Sequence, residues 1–360
     1  MDNQMKILVI NPGGMSTKIA VFNNGFLLFN KSISHSMAEL ECFETIFEQK
    51  DFRKNLILKA LKDEGIELDE IDQFVGRGGM VRNLQSGVYR INKDYLNDAA
   101  IGLNGQHASN LGGILADELA KKTHSNKDAY TVDPVMVDEY EDIARFSGMA
   151  DISRVRSFHA LNQKAVARRY SKEHDKPYDK VNLIVAHLGS GVSVGAHKLG
   201  RIIDVNSALG GDGPMSPERA GGVPPLALID MCFSGEYTYK EVYKKLIGEG
   251  GVYSYLGTKD MLEVEKRHNE GDEKASQVLE AMAYQVAKDI GASAAVLEGN
   301  VDAIILTGSI AYCEPMIEWI AQRTQFVGAN LVVYPGEDEM QALALGVKDA
   351  LLGEREILDY

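Results

Sequence analysis

Ile7-Leu8-Val9-Ile10-Asn11-Pro12-Gly13-Gly14-Met15-Ser16-Thr17-Lys18-Ile19-Ala20-Val21-Phe22 is an apolar run, a glycine-rich tip and a second apolar run. About half a chain later, Leu183-Ile184-Val185-Ala186 enters His187-Leu188-Gly189-Ser190-Gly191 and leaves through Val192, Val194 and Ala196. Short apolar runs bounded by glycine read as buried strands, so each stretch is expected to be a β-hairpin with a Gly/Ser tip. Tip glycines permit φ > 0, which lets successive N–H groups converge on an anion. The same construction made twice predicts two hairpins that clamp the phosphates of one nucleotide.

The chain around them has 360 residues, 45% hydrophobic and 25% charged, which suits two domains with real cores. No apolar run approaches the ~20 residues that span a bilayer. The start, Met1-Asp2-Asn3-Gln4-Met5-Lys6, has no charged-then-apolar leader pattern. Cys42, Cys232 and Cys313 are odd in number, far apart and without metal-ligand spacing, as in a reducing compartment. The expected location is the cytoplasm. A net charge of −14 argues against a nucleic-acid partner or an anionic membrane surface, and leaves room for a small anion met by locally focused cations.

Between the hairpins, Phe26 to Ile33 continues as strand and Glu39 to Glu64 carries helical spacing. A strand at Phe74-Val75 enters Gly76-Arg77-Gly78-Gly79, Asn104 to Lys122 reads as a helix, and Ala129 to Val132 reads as a strand ending at Asp133-Pro134. Ser157 to Lys172 reads as a long helix. The second half repeats the scheme: a strand at Gly200 to Asp204, helices at Leu226 to Phe233, Tyr239 to Ile247 and Asp272 to Leu297, and a strand at Ala303 to Leu306 entering Thr307-Gly308-Ser309. Helices at about Pro315 to Arg323 and Glu339 to Leu352 close the chain. Strands alternating with helices place it in the α/β class.

Gly189-x-Gly191 is no dinucleotide fingerprint, because the third glycine falls one place late at Gly195 and a strand follows. Gly-x4-Gly-Lys-Ser/Thr is absent too, so a phosphate site here is neither a Rossmann nor a P-loop site. Asp133, before Pro134, reads either as a turn initiator or as a metal carboxylate. Glu337 reads either as a helix N-terminal carboxylate or as its companion. With Asn11 they would form an oxygen-rich, partly hydrated Mg²⁺ site. Arg77 and Arg219 lie in glycine-rich loops, where a guanidinium forks onto carboxylate or phosphate or forms a structural salt bridge. His187 precedes the second tip. His107 and His159 fall in helical stretches, where capping or packing accounts for them equally.

Five ordered motifs carry a resemblance. They are Asn11-Pro12-Gly13 with Ser16-Thr17-Lys18, Val75-Gly76-Arg77-Gly78-Gly79, His187-Leu188-Gly189-x-Gly191-x-Ser193, Gly211-Asp212-Gly213-Pro214-x-Ser216-Pro217-Glu218-Arg219 and Tyr334-Pro335-Gly336-Glu337-Asp338-Glu339. Over nearly the whole chain it resembles the butyrate kinase branch of the acetate kinase family, within the actin and sugar-kinase superfamily. The resemblance implies two ribonuclease-H-like, actin-like domains, each a mixed five-stranded sheet flanked by helices, with nucleotide in the interdomain cleft. It implies a first domain of residues 1–160 plus 340–360, a second of 161–339, and a homodimer or higher oligomer.

The implied reaction is direct phosphoryl transfer between ATP and butyrate, giving ADP and butyryl phosphate. Branched-chain acids, acetate and propionate are the alternative substrates, and an actin-like nucleotide-binding protein is the alternative class. By the same resemblance Asn11, Asp133 and Glu337 organise Mg²⁺ and phosphates. Arg77 and Arg219 hold the carboxylate and the moving phosphoryl group, with His187 on that group and His107 near the acyl site. Asp133 joins Arg77, His187 and Arg219 as the implied catalytic set. Ser16, Thr17, Gly189, Gly191, Gly308 and Ser309 are the implied nucleotide contacts. Gly14 and Met15 stand where the family usually carries hydroxyl residues, and Ser309 where it commonly carries a second glycine. A serine needing a glycine's backbone angles there would cost about 1 kcal/mol.

Overall fold

The computed structural model describes residues 5–360, and the start Met1-Asp2-Asn3-Gln4, read above for its lack of a leader pattern, lies outside them. The chain divides into two compact units, one running to Asp138 and resumed by Asp338–Tyr360, the other Glu139–Glu337. The first unit therefore closes at Asp138 and not at residue 160. Glu139 already belongs to the second core, where its carboxylate takes Lys164 Nζ at 2.6 Å and the Ile202 amide at 2.7 Å.

Each unit is built on the same sheet plan. In the first, Lys6–Pro12, Ser16–Asn23 and Phe26–Ser34 form an antiparallel meander, and Gln73–Gly76 and Ala129–Val132 add in parallel on the other side of Lys6–Pro12. In the second, Asn182–Leu188, Val192–Lys198 and Arg201–Val205 form the meander, and Ala303–Gly308 and Asn330–Pro335 add in parallel. Both sets thus run in the order third, second, first, fourth, fifth. The first sheet has seven strands where five were expected, because Val88–Arg90 pairs with Ala129–Val132 and Ile357–Asp359 then adds to Val88–Arg90. Three-residue strands are too short for alternation to register.

The central strand runs are apolar because helices cover both faces, whereas the edge strand Phe26–Ser34 is exposed and mixed. In the second unit Ile184, Ala186 and Leu188 pack with Leu279, Val286 and Ile290 of helix Glu273–Val296. Leu183 and Val185 point the other way, onto Val166, Ala167 and Tyr170 of helix Ala160–Glu173. In the first unit Leu8, Ile10 and Phe74 pack with Ile57, Leu111 and Leu115. Helix Asn110–Ala120 closes on strand Gln73–Gly76 only because both faces are glycine: a Cβ on Gly76 would lie 2.1 Å from the Gly112 carbonyl oxygen.

Two expected helices differ. Glu39 to Glu64 is not continuous; a capped turn at Met37–Leu40 is followed by Lys50–Asp63. The restart is local: Thr45 and Glu48 exchange side-chain and backbone hydrogen bonds, a Thr-x-x-Glu capping box visible in the sequence. The helix expected from Asn104 begins at Asn110. Asn110 instead ties the preceding turn, accepting from the Met80 amide at 2.8 Å and donating to the Gly105 carbonyl at 2.9 Å.

Candidate active site

In the first unit the strand end at Asn11, the turn after Gln73–Gly76 and the last helix's first turn meet. Asn11 Nδ2 donates to Glu339 Oε2 at 2.9 Å, and Arg77 Nη1 forms an ion pair with the same oxygen. Glu339 is the carboxylate that sequence reasoning missed, although it ends one of the quoted motifs. Gly78 and Gly79 admit no side chain, since a Cβ would strike Pro134 at 2.2 Å or Asn110 at 2.4 Å. His107 lies in the turn before helix Asn110–Ala120, its Nδ1 2.7 Å from Ser109 Oγ. The surrounding protein, and then the Arg77 charge, lower its pKa. Asp133 is buried with φ +40, and its carboxylate accepts from Ser86 Oγ at 2.6 Å and lies 3.4 Å from Arg355. A non-glycine residue held in the left-handed region by its surroundings is a mark of functional sites.

The first tip differs from expectation in one respect. Gly13 and Gly14 do not have positive φ. The tip is shaped from beneath: Arg53, fully buried in helix Lys50–Asp63, donates to the carbonyls of Gly13, Gly14 and Ser16 and to Thr17 Oγ1. Thr17, expected to contact nucleotide, is fully buried, and its hydroxyl is taken by Arg53 and by His35 Nε2 at 2.8 Å. Ser16 stays partly exposed.

In the second unit His187 ends a buried strand. Its Nδ1 hydrogen-bonds Asn162 Oδ1 at 2.8 Å, its Nε2 faces Glu337 Oε1 at 3.0 Å, and its ring stacks on His159 at 3.7 Å. His159 Nδ1 bonds Ser193 Oγ, which also accepts from Gln163 Nε2 at 2.8 Å. Gln163 fits only because residue 195 is glycine, whose Cβ would lie 2.5 Å from Gln163 Oε1. Asn162 and Gln163 gave no signal in the sequence beyond being polar residues on an otherwise ordinary helix.

Gly189 and Gly191 likewise lack positive φ and are glycine for proximity. A Cβ on Gly189 would lie 2.9 Å from both Glu337 Oε1 and His187 Nε2, and one on Gly191 would lie 2.2 Å from Arg219 Nη1. Arg219 thus rests against the tip, donating to the Ala208 carbonyl at 2.8 Å, and Ser216 Oγ ties its loop to the Ser190 carbonyl at 2.7 Å. Its Nε is buried without a protein acceptor, and burial lowers its pKa. Glu218, the neighbouring carboxylate, is engaged by Lys259 at 2.7 Å. The salt-bridge reading of Arg219 therefore has no partner among the described residues. Gly308 has φ +93, a Cβ there would strike the Leu188 carbonyl at 2.3 Å, and it exchanges backbone hydrogen bonds with Gly336. Ser309 opens a 3₁₀ turn, is not among the positive-φ residues and bears no strain.

The three residues expected to hold a metal are not gathered in one unit: Asn11 and Asp133 belong to the first and Glu337 to the second. Among the described residues no group of three His, Cys, Asp or Glu side chains is arranged for a metal ion. Asp133 already accepts from Ser86, and Glu337 faces His187. Oxygen donors of this kind suit a hard divalent cation that keeps several of its waters.

Two units of this sheet order, each with a glycine-tipped hairpin against which an arginine is packed, define a two-unit α/β fold of the actin-like kind. The solved acetate kinase from Porphyromonas gingivalis shares it, with a TM-score of 0.78 over 96% of this chain and 99% of that one at 20% identity. The acetokinase family model matches residues 149–331. Butyrate kinase 2 and butyrate kinase 1 of Clostridium acetobutylicum are 52% and 53% identical to it over 357 and 355 residues, covering 99% of both chains in each case. The chain belongs to the acetokinase family.

Proposed function

We propose that the chain is a butyrate kinase, moving the γ-phosphoryl group of ATP onto the carboxylate of butyrate to give butyryl phosphate and ADP, reversibly. The observation that carries it is Arg219: a half-buried guanidinium at a glycine-tipped hairpin, with no carboxylate partner among the described residues and a buried, unsatisfied Nε. A short-chain carboxylic acid has a pKa of about 4 to 5, so the nucleophile is already ionised at neutral pH and no general base is required. The difficulty is bringing one anion onto another, and it is met by positioning and by cations.

Arg219 forks onto the moving phosphoryl group, and His187 Nε2 donates to it once freed from Glu337. Arg77 exchanges its ion pair with Glu339 for the substrate carboxylate, beside His107. The tip amides of both hairpins hold phosphate oxygens, with Gly308 and Ser309 at the adenosine. Mg²⁺ would be held by Asp133, with Asn11 and the Glu339 carboxylate of the same unit through water, and would neutralise charge on the phosphates. The relatives' names support four carbons as the chain length. One methylene in an apolar pocket is worth only about 1–3 kcal/mol, so neighbouring acids are expected to react too.

No described helix is long and apolar enough to cross a membrane. A cytoplasmic place agrees with three free thiols, Cys42, Cys232 and Cys313. A homodimer or higher homo-oligomer is the assembly this reading carries, supported by the exposed Ile143, Phe146, Leu226 and Phe233 of the second unit.

The test is acyl phosphate formation, dependent on ATP and Mg²⁺ and trapped with hydroxylamine, across acetate, propionate, butyrate, isobutyrate, valerate and isovalerate. A maximum at butyrate is expected. A maximum at the branched acids would change the substrate and keep the reaction, and no product from folded, ATP-binding protein would overturn the kinase reading.

A further inference from the structure

Three carbonyls of the first hairpin tip are turned inward onto Arg53. Gly13 O and Gly14 O accept from Arg53 Nη1 at 2.9 Å and Nη2 at 3.1 Å. Met15 O accepts from the His35 amide at 2.9 Å, and Ser16 O from the Gly13 amide at 2.7 Å and from Arg53 Nη1 at 3.1 Å. A trans peptide sets each C=O opposite the next residue's N–H. The amides of Gly14 and Met15 must therefore face away from Arg53. The Gly14 and Met15 amides take no backbone partner, both residues are exposed, and a Cβ on Gly14 would meet nothing within 4 Å. The outer face is a short row of unpaired donors opening onto free space.

Beneath it lies a charge with no counter-ion among the described residues. Arg53 is fully buried, and its remaining bonds go to Gln49 Oε1 at 3.1 and 2.8 Å and to Thr17 Oγ1 at 3.0 Å, all neutral acceptors. Burial pushes its pKa down to about 10, which leaves it a cation at neutral pH. An uncompensated buried charge is costly, and a fold that retains one directly behind a row of outward amides leaves the neutralising charge to a ligand. His35 shares Thr17 with Arg53, and its ring packs edge-on to Phe52, so the platform is fixed from both sides.

We infer that Arg53 is a positioning residue for the phosphate loop: it holds the Gly13 and Gly14 carbonyls inward so that the Gly14 and Met15 amides present a cationic, anion-binding face to the nucleotide's phosphates. The inference rests on the kinase reading for the identity of the anion.

The first experiment needs no variant. Backbone amide resonances of Gly14 and Met15 are followed while MgATP is titrated into labelled wild-type protein without acid. Saturable shifts at both are expected; their absence at saturating MgATP overturns the inference. The second compares Arg53→Gln and Arg53→Lys with wild type for folding, nucleotide binding and turnover. Misplacing the loop by about 1 Å is expected to cost Arg53→Gln about 100-fold in kcat with a raised KM for ATP, the KM for butyrate staying within about twofold, and Arg53→Lys should recover part of the loss. A folded Arg53→Gln protein matching wild type in nucleotide affinity and kcat overturns it. If wild type binds MgATP through Gly14 and Met15 yet makes no acyl phosphate, the loop inference stands and the kinase reading falls.

Discussion

Gly191 and Gly14 both occupy hairpin tips, and they are glycine for different physical reasons. A Cβ at 191 would collide with the Arg219 guanidinium, whereas one at 14 would enter open space, and neither residue has a positive φ. Gly191→Ala is therefore expected to displace Arg219 from the Ala208 carbonyl and lower kcat by about 10- to 100-fold with little change in thermal midpoint. Gly14→Ala should change stability by no more than about 0.5 kcal/mol. Steady-state kinetics beside a melting curve reads both, and an unaltered kcat in Gly191→Ala would remove the present position of Arg219 from the mechanism. The sequence could point to these glycines but not say why they are needed. The reading through φ fails at Gly13, Gly14, Gly189 and Gly191 and holds at Gly308, because close approach of a distant side chain leaves no local signature.

At the scale of elements, capping decides where helices begin. Asp272 accepts from the Lys274 and Ala275 amides, both at 3.0 Å, and so caps Glu273–Val296, whose apolar side packs on the second sheet. Asp272→Ala is expected to cost about 0.5–2 kcal/mol, read as a lower urea midpoint at unchanged slope. An unchanged midpoint would mean that the helix is held by packing alone. The long strands and this helix were legible because period-2 and period-3.6 patterns run through many residues. Val88–Arg90 and Ile357–Asp359 were not, since three residues hold too little pattern. The break in the helix expected from Glu39 to Glu64 was written in Thr45 and Glu48, a local signal outweighed by the longer periodicity.

For the molecule as a whole, buried ionisable groups set how stability follows pH. Burial, then the Asp212 charge, raises Asp289 from 3.8 to about 7. In that window the unfolded chain releases a proton that the folded chain keeps, so this group's contribution falls as pH rises from about 4 to 7. Asp289→Asn should accordingly stabilise the protein by up to about 2–4 kcal/mol at pH 8 and very little at pH 4. An equal gain at both pH values would show that charge is not the cause. His197 works in the opposite sense: burial, then Lys164 and Arg168, lowers its pKa well below 6.5, so its contribution is lost as pH falls below that value. The sequence by itself determined the α/β class, the repeated hairpins and the ordered motifs, because these are written in neighbouring residues and in short periods. Only the tertiary structure decided that Glu339 is the carboxylate at Asn11 and Arg77, that Thr17 faces inward, and that a buried Arg53 stands behind the first tip. Each of those depends on which distant side chain reaches a backbone atom through a packed core, and no spacing along the chain encodes that distance.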